Sequence, residues 1–252
     1  MKQHLYILTG ASRGMGLAMA KQLLQPGHTL LCISRHSQPE LNELVDTIED
    51  ATLAQWSLDL VDGAAAAAQL SRWLSLFLGD EFDSATLINN AAALPRISAL
   101  ANADAKDIST VLRVGLEAPM HLTAAFLHAT ENWAGTKKVL NISSGNGRRA
   151  MASQSIYSAV KAGMDHYTRC LALEEAARSN GAKVCSLAPG IIDTDMQTHI
   201  RATNPADFPS HAVFVEYKNN GDLLTPEAGA ARVLTYLQRA DFGANPVADV
   251  RD

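Results

Sequence analysis

Short apolar runs alternate with longer, mixed segments along most of the chain, and that alternation predicts its elements. Residues 5–8, 29–33, 53–58, 86–88, 139–142 and 183–187 read as strands buried on both faces, being near-continuously apolar and bounded by turn residues. Helical spacing fills the intervals at 17–24, 40–49, 64–78 and 155–178, and at 104–130 with breaks at Gly115 and Pro119. Asp62 is placed to cap the third helix, whose alanine run is a strong helix former. Thr225-Pro226 carries the cap-then-proline signature of a last helix running to about Arg239. Residues 245–250 read as an added edge strand, and 191–222 as irregular and short-helical. Strands alternating with helices imply an α/β fold, a doubly wound parallel sheet of about seven strands with helices on both faces. No linker, repeat or low-complexity run divides the chain, so residues 1–252 are read as a single domain. Ile200, Phe208, Val213 and Phe214 lie on the long irregular segment, which suggests a substrate lid within about 191–225.

Of the 252 residues, 47% are hydrophobic and 19% charged, a balance that supports a packed core. A net charge of −5 speaks against a nucleic-acid protein, which presents a basic face. No apolar run approaches the roughly 20 residues needed to span a bilayer, and the apolar run within residues 1–8 is too short for a signal peptide. The three cysteines, Cys32, Cys170 and Cys185, form no CxxC pair or disulfide framework, which fits a reducing compartment. Eight histidines show neither HxxxH nor HExxH spacing, so no metal site is expected. Together these features predict a cytoplasmic protein with no membrane or nucleic-acid partner.

Candidate chemistry begins at Thr9–Gly16, TGASRGMG, which follows the first strand and opens the first helix. In that context Gly10, Gly14 and Gly16 let the backbone turn tightly and approach a pyrophosphate at the helix N-terminus, with Ser12, Arg13 and Met15 in the same loop. The pattern predicts a Rossmann-type dinucleotide site. The second strand runs out in Ser34-Arg35, where an NAD-preferring site would carry a carboxylate for the ribose hydroxyls. A guanidinium there, with Arg13 as a second cation, suits a 2′-phosphate, so NADP(H) is expected over NAD(H). After the fourth strand, the small residues of Asn89-Asn90-Ala91-Ala92 would let the chain pass beneath an adenine ring.

The second chemical stretch runs from Ser144 to Lys161. Tyr157 and Lys161 are four residues apart, hence on one helix face, and Ser144 lies thirteen residues before the tyrosine, just after the fifth strand. A tyrosine, a lysine and a serine so spaced, behind a dinucleotide loop, point to carbonyl reduction with a nicotinamide cofactor.

These segments, together with Ala188–Thr194 (APGIIDT), resemble the short-chain dehydrogenase/reductase family over nearly the whole chain. The resemblance implies that Tyr157 protonates the carbonyl oxygen and that Lys161 lowers its pKa and binds the nicotinamide ribose. It implies that Ser144 orients the substrate carbonyl. Asp59 and Leu60 would flank the adenine, Asn90 and Ala91 would follow it, and Pro189, Gly190, Ile192, Thr194 and Met196 would line the nicotinamide side. A small-molecule carbonyl substrate and a homodimer or homotetramer, formed through the two long helices, are likewise implied.

One departure stands out: Gly115 occupies the position where the family usually carries an asparagine that holds a water in the proton path. A glycine there would leave room for a water bound by backbone carbonyls. Asp193–Gln197, 219–227 and 242–252 are further similar to the subgroup of sepiapterin reductases and bacterial benzil reductases, and in that alignment Asp249 falls where an acid anchors a pterin ring. The alternative for Asp249 is a solvated tail residue; Arg148 and Arg149, just after Ser144, could meet a charged substrate but read better as a solvated loop. The favoured reading is an NADPH-dependent reductase of a ketone or 1,2-dicarbonyl. Its rivals are a secondary-alcohol dehydrogenase, a 3-oxoacyl reductase, a non-catalytic NADP(H)-binding regulator, and a methyltransferase on a similar sheet.

Overall fold

The computed structural model describes residues 3–252. Met1 and Lys2, at the head of the segment read as too short for a signal peptide, lie outside the described residues. Seven parallel strands form one sheet in the order β3-β2-β1-β4-β5-β6-β7: β1 His4–Thr9, β2 His28–Ser34, β3 Thr52–Ser57, β4 Ser84–Asn89, β5 Thr136–Ile142, β6 Lys183–Ala188 and β7 Val247–Asp249. The last is the edge strand expected from the tail.

Alternation along each strand sorts the core into two halves. Tyr6 and Leu8 of β1 face the layer of α1 (Gly14–Leu23), α2 (Pro39–Val45) and α9 (Pro226–Gln238). Leu5 and Ile7 face α3 (Gly63–Leu74) and α5 (Ala118–Ala129), with Leu171 of α6 (Ser155–Ala176) at its margin. Each such fully buried Leu or Ile contributes about 1.5–3 kcal/mol relative to exposure. The helix starts follow the sequence: Asp62 accepts the Ala65 amide at 3.0 Å, and Thr225 accepts that of Ala228 at 3.2 Å.

The second and third helices and residues 104–130 differ from expectation. The second helix stops at Val45 and gives way to turns rather than reaching residue 49, and the third, α3, ends at Leu74 rather than at 78. Residues 104–130 do not break at Gly115 and Pro119. α4 (Ala105–Leu112) passes through one π-helical stretch, Arg113–Glu117, directly into α5; Pro119, which has no N–H for the ladder, sits just after that stretch, and the helix continues through it. The 191–222 segment is short-helical as expected, with α7 (Asp195–Arg201), a 3₁₀ turn Pro205–Asp207 and α8 (His211–Asn219). Its two ends close on each other, Asp193 N–H to Leu224 O at 2.8 Å and Leu224 N–H to Ile191 O at 3.0 Å. The excursion has a small apolar cluster of Ile97, Ile200 and Phe208, with Leu94, Met151, Met196 and Phe214 around it. Among the described residues no helix is long and apolar enough to cross a membrane.

The strand order reverses between β1 and β4. That leaves a crevice at their carboxyl ends, where open α/β sheets bind ligands.

Candidate active site

A cleft of about 960 Å³ opens along the carboxyl edge of the sheet. All the residues that the sequence marked for the cofactor line it, from Gly10 through Arg35, Asp59 and Asn90 to Met196. Ser144, Tyr157 and Lys161 line it too; Asp249 does not.

The dinucleotide end is shaped by what cannot be there. Gly10 has φ +71°, and a Cβ on it would come within 2.9 Å of the Ala91 Cα. A Cβ on Gly16 would lie 2.0 Å from the Gly10 carbonyl oxygen. Asn90 holds this approach in place: its Nδ2 donates to the Thr9 and Gly10 carbonyls at 3.0 and 3.2 Å. The Thr9 hydroxyl accepts the Asn90 and Ala91 amides at 3.0 Å each. α1 begins at the cleft with no side-chain cap and no acidic residue in its first turn. Its first amides are therefore available to an anion, and the bare glycine cradle fits a dinucleotide pyrophosphate.

Arg35 is exposed in the cleft wall and makes no ion pair among the described residues. Arg13 is differently engaged: its Nη1 meets the Asp195 carboxylate at 3.1 Å, joining the glycine loop to the first turn of α7 across the cleft. Ser34 spends its hydroxyl on the His36 carbonyl at 2.8 Å. Thr194 is the N-cap residue of α7, and its Cγ2 would be 3.2 Å from a Cβ on Gly14, so the two cleft walls nearly touch there.

At the reactive end, α6 presents Tyr157 and Lys161 on one face, both buried. The Lys161 ammonium donates to the Ile142 carbonyl at 2.6 Å and lies 5.7 Å from the centre of the Tyr157 ring. Burial pushes the Tyr157 phenol up to about 12, against a smaller downward pull from its hydrogen bond with Ser144. Burial also lowers Lys161 to about 8, with the Asp165 carboxylate opposing it. The expected lowering of the tyrosine by the lysine is absent: burial sets the phenol, and the ammonium is turned to a backbone carbonyl, 5.7 Å from the ring centre.

Gly115 does not leave room for a water. A Cβ there would lie 2.6 Å from Val160 Cγ1, so the valine already fills that space and the π-helical turn packs flush on α6. Asp249 is held by Arg251 through two bonds of 2.6 Å, which keep its carboxyl below the usual range. Both oxygens are thereby taken on the tail itself. Arg148 is no solvated loop residue: it reaches the buried Asp165 at 3.3 Å.

Sequence reasoning missed Leu94, Val114, Gln197 and His199 in the cleft wall, and Asp165 behind it. Asp165 had a signal: it continues the Tyr157, Lys161 spacing by another four residues. Among the described residues no three His, Cys, Asp or Glu side chains gather as metal ligands.

A short chain dehydrogenase model matches residues 4–205. The chain is 35% identical to a benzil reductase ((S)-benzoin forming) of Bacillus cereus over 236 residues, 94% of each chain. It is 31% identical to a sepiapterin reductase of Mus musculus, covering 98% of this chain and 96% of that one. Among solved structures, a short-chain dehydrogenase/reductase from Burkholderia vietnamiensis superposes with a TM-score of 0.66 at 31% identity, covering 99% of this chain and 98% of that one.

Proposed function

From the premise that the chain belongs to the short-chain dehydrogenase family, we propose that it is an NADPH-dependent carbonyl reductase acting on ketones and 1,2-dicarbonyls. The observation that carries this reading is that Ser144, Tyr157 and Lys161 open onto the same cleft as the glycine loop. A bound nicotinamide would supply the hydride. Residues Gly10–Gly16 would hold its pyrophosphate, Asp59 and Leu60 the adenine side, and Lys161 and Thr194 the nicotinamide side. Arg35, exposed just beyond β2 and in no ion pair among the described residues, supports a 2′-phosphate and hence NADP(H).

The chain's own residues do the rest. Tyr157, protonated throughout the neutral range, gives its proton to the carbonyl oxygen. Ser144, beside the phenol, orients that oxygen by a hydrogen bond. Lys161 places a positive charge below the ring, where it favours the phenolate left behind. Buried surroundings strengthen each of these terms.

The substrate end of the cleft is walled by Leu94, Val114, Ile192 and Met196, an apolar lining that favours an aromatic dicarbonyl. The excursion between Ile191 and Leu224 acts as the lid over it, and the chain works as one dinucleotide-binding domain. Exposed Leu112, Met120 and Leu173, on α4, α5 and α6, support association into a homodimer or homotetramer through those helices. Free Cys32, Cys170 and Cys185 agree with a cytoplasmic setting. An acid anchor at Asp249 for a pterin would require its pair with Arg251 to open.

The test is NADPH oxidation by the purified protein with benzil and sepiapterin in parallel, with Tyr157→Phe as the blank. Turnover of benzil that vanishes in the variant is the expected result. A sepiapterin preference that disappears in Asp249→Ala would instead favour the pterin reading. NADPH binding without turnover of either substrate would defeat both. Arg35→Ala should weaken NADPH and leave NADH unchanged; an equal effect on the two would remove the case for the 2′-phosphate.

A further inference from the structure

Tyr157, Lys161 and Asp165 follow one another at steps of four along α6, so the catalytic face of that helix carries a buried acid one turn behind the lysine. Asp165 is 2% exposed. Its Oδ1 accepts the hydroxyls of Ser143 and Ser186, each at 2.6 Å, and its Oδ2 accepts Arg148 Nε at 3.3 Å. Ser143 immediately precedes Ser144, and its amide is fixed to the Leu187 carbonyl at 2.9 Å. Arg148 closes the same loop at its other end, and its Nη2 donates to the Ala248 carbonyl on β7 at 2.6 Å. Gly147 lets the loop lie flat on the helix, since a Cβ there would be 2.9 Å from both Asp165 Oδ2 and the Lys161 carbonyl.

One carboxylate therefore ties together both ends of the loop that carries Ser144, strand β6 and, through Arg148, the last strand. We propose that Asp165 is a positioning residue of this site: it holds the Ser144 loop over Tyr157 and keeps a negative charge one helical turn behind Lys161. The inference rests on the reductase reading for its kinetic consequence but not for its electrostatic one.

The charged neighbourhood is simple enough to give the charge a sign. On its own helix Lys161 faces Tyr157 and Asp165, and Arg148 stands beyond Asp165. The π-helical stretch turns Arg113 and Glu117 to solvent; beside Ile142, Ser143 and Ser186, β6 brings the Cys185 thiol, its pKa raised by burial, toward Asp165 and Arg148, and β7 brings Asp249, already paired with Arg251, toward Arg148. Neutralising Asp165 leaves Lys161 with burial alone and Arg148 unpaired nearby; both act to discharge the lysine. Removing the Arg148 charge instead leaves the carboxylate unopposed and favours the ammonium.

The experiment compares wild type, Asp165→Asn and Arg148→Gln in two readouts. The first is the pH profile of kcat with benzil and NADPH, together with the KM for NADPH. The second is the titration of Lys161 by NMR on protein labelled at lysine Cε, which needs no turnover. Asp165→Asn should cut kcat about 10²-fold, the scale of a misplaced catalytic group, with little change in the KM for NADPH, and should move the Lys161 titration to lower pH. Arg148→Gln should lose less kcat and move the titration the opposite way. Losses of kcat with the lysine titration unmoved in both variants would make the network merely structural and overturn the proposal, as would an unchanged kcat in Asp165→Asn. If Asp165→Asn does not fold, Arg148→Gln decides alone: an upward shift supports the proposal, and none overturns it. If wild type turns nothing over, the reductase reading fails while the lysine titration still judges Asp165.

Discussion

The floor and the roof of the cleft are held by different kinds of bond. In the floor, Lys161, Asp165, Asn90 and the Thr9 hydroxyl are tied by short hydrogen bonds among buried or half-buried groups of β1, β4, β5, β6 and α6. Unmaking any of these leaves a polar group stranded in a low-dielectric interior, at a cost of about 1–3 kcal/mol. In the roof, Ile200 and Phe208 of residues 191–224 pack on Ile97, Leu94 and Met151 of the body in one small apolar cluster. Ion pairs Arg13–Asp195 and Arg96–Asp207, at 3.1 and 3.7 Å, tether that segment to the body, with most of the participating side chains exposed. Asp193–Lys218, at 2.5 Å, braces it internally. Exposed pairs of this kind are worth about 0.2–1 kcal/mol. The chemistry is thus set where any displacement strands polar groups, while the segment above it rests on one small apolar cluster and exposed ion pairs, the cheaper of the two to shift.

The sharpest way to break this contrast is at the floor. Tyr157→Phe removes the one group placed to give a proton and nothing that holds the fold, so kcat should fall by about 10²–10⁴-fold. NADPH affinity, read by fluorescence titration, should stay near that of wild type. A variant retaining a tenth or more of wild-type kcat would remove Tyr157 as the acid.

The floor also fixes a pH limit. Burial leaves Lys161 near 8 and Tyr157 near 12, so on raising the pH the lysine loses its proton first. Reduction needs the phenol protonated and the lysine charged, and both are low-pH forms. The rate of carbonyl reduction should therefore be level below about 8 and fall roughly tenfold per pH unit above it. A rate that holds level to pH 10 would show that the lysine charge is not required.

Much of the floor was legible in the sequence because it is local. The glycine loop, the four-residue step from Tyr157 to Lys161 and the caps at Asp62 and Thr225 depend on short-range geometry, and the structure has each in its expected element. What escaped depends on contacts between distant segments. Gly115 reads from the sequence as a break with spare room, yet its meaning is set by Val160, 45 residues on, whose methyl occupies the space. Arg13 reads as a free cation for a phosphate until Asp195, 182 residues away, is seen to meet it. Asp249 reads as free to face a ligand, although Arg251 two residues later takes both its oxygens. No periodicity announces such pairings.

Gly115 gives a third, smaller test, of how tightly the floor is sealed. An alanine there brings a Cβ to 2.6 Å from Val160 Cγ1 in a fully packed contact. Overpacking of this kind costs about 1–3 kcal/mol, more than the helix propensity gained. Gly115→Ala should lower Tm, and Val160→Ala in the same protein should recover part of the loss. If the single variant is as stable as wild type, the helices are not in contact as described.

The roof gives the smallest effect and the most specific one. Asp195 and Arg13 are each largely exposed, so their pair contributes little to stability, and Asp195→Ala should leave Tm within about a degree or two of wild type. Its consequence lies in the cleft. Arg13 is one of the two cations assigned to the 2′-phosphate, and while it is paired with Asp195 a phosphate has to compete with a carboxylate for the same guanidinium. Deleting the carboxylate removes that competitor, and it also removes a negative charge from the wall that an anionic cofactor must pass. Both act in the same direction, so Asp195→Ala should bind NADPH about two- to fivefold more tightly, the range of one exposed pair. NADH, lacking the phosphate, should gain less. The gain should shrink in high salt, since screening already weakens the native pair. Weaker NADPH binding in this variant would mean that Asp195 supports the cofactor side of the cleft rather than contesting it, and the roof would then share the rigidity of the floor.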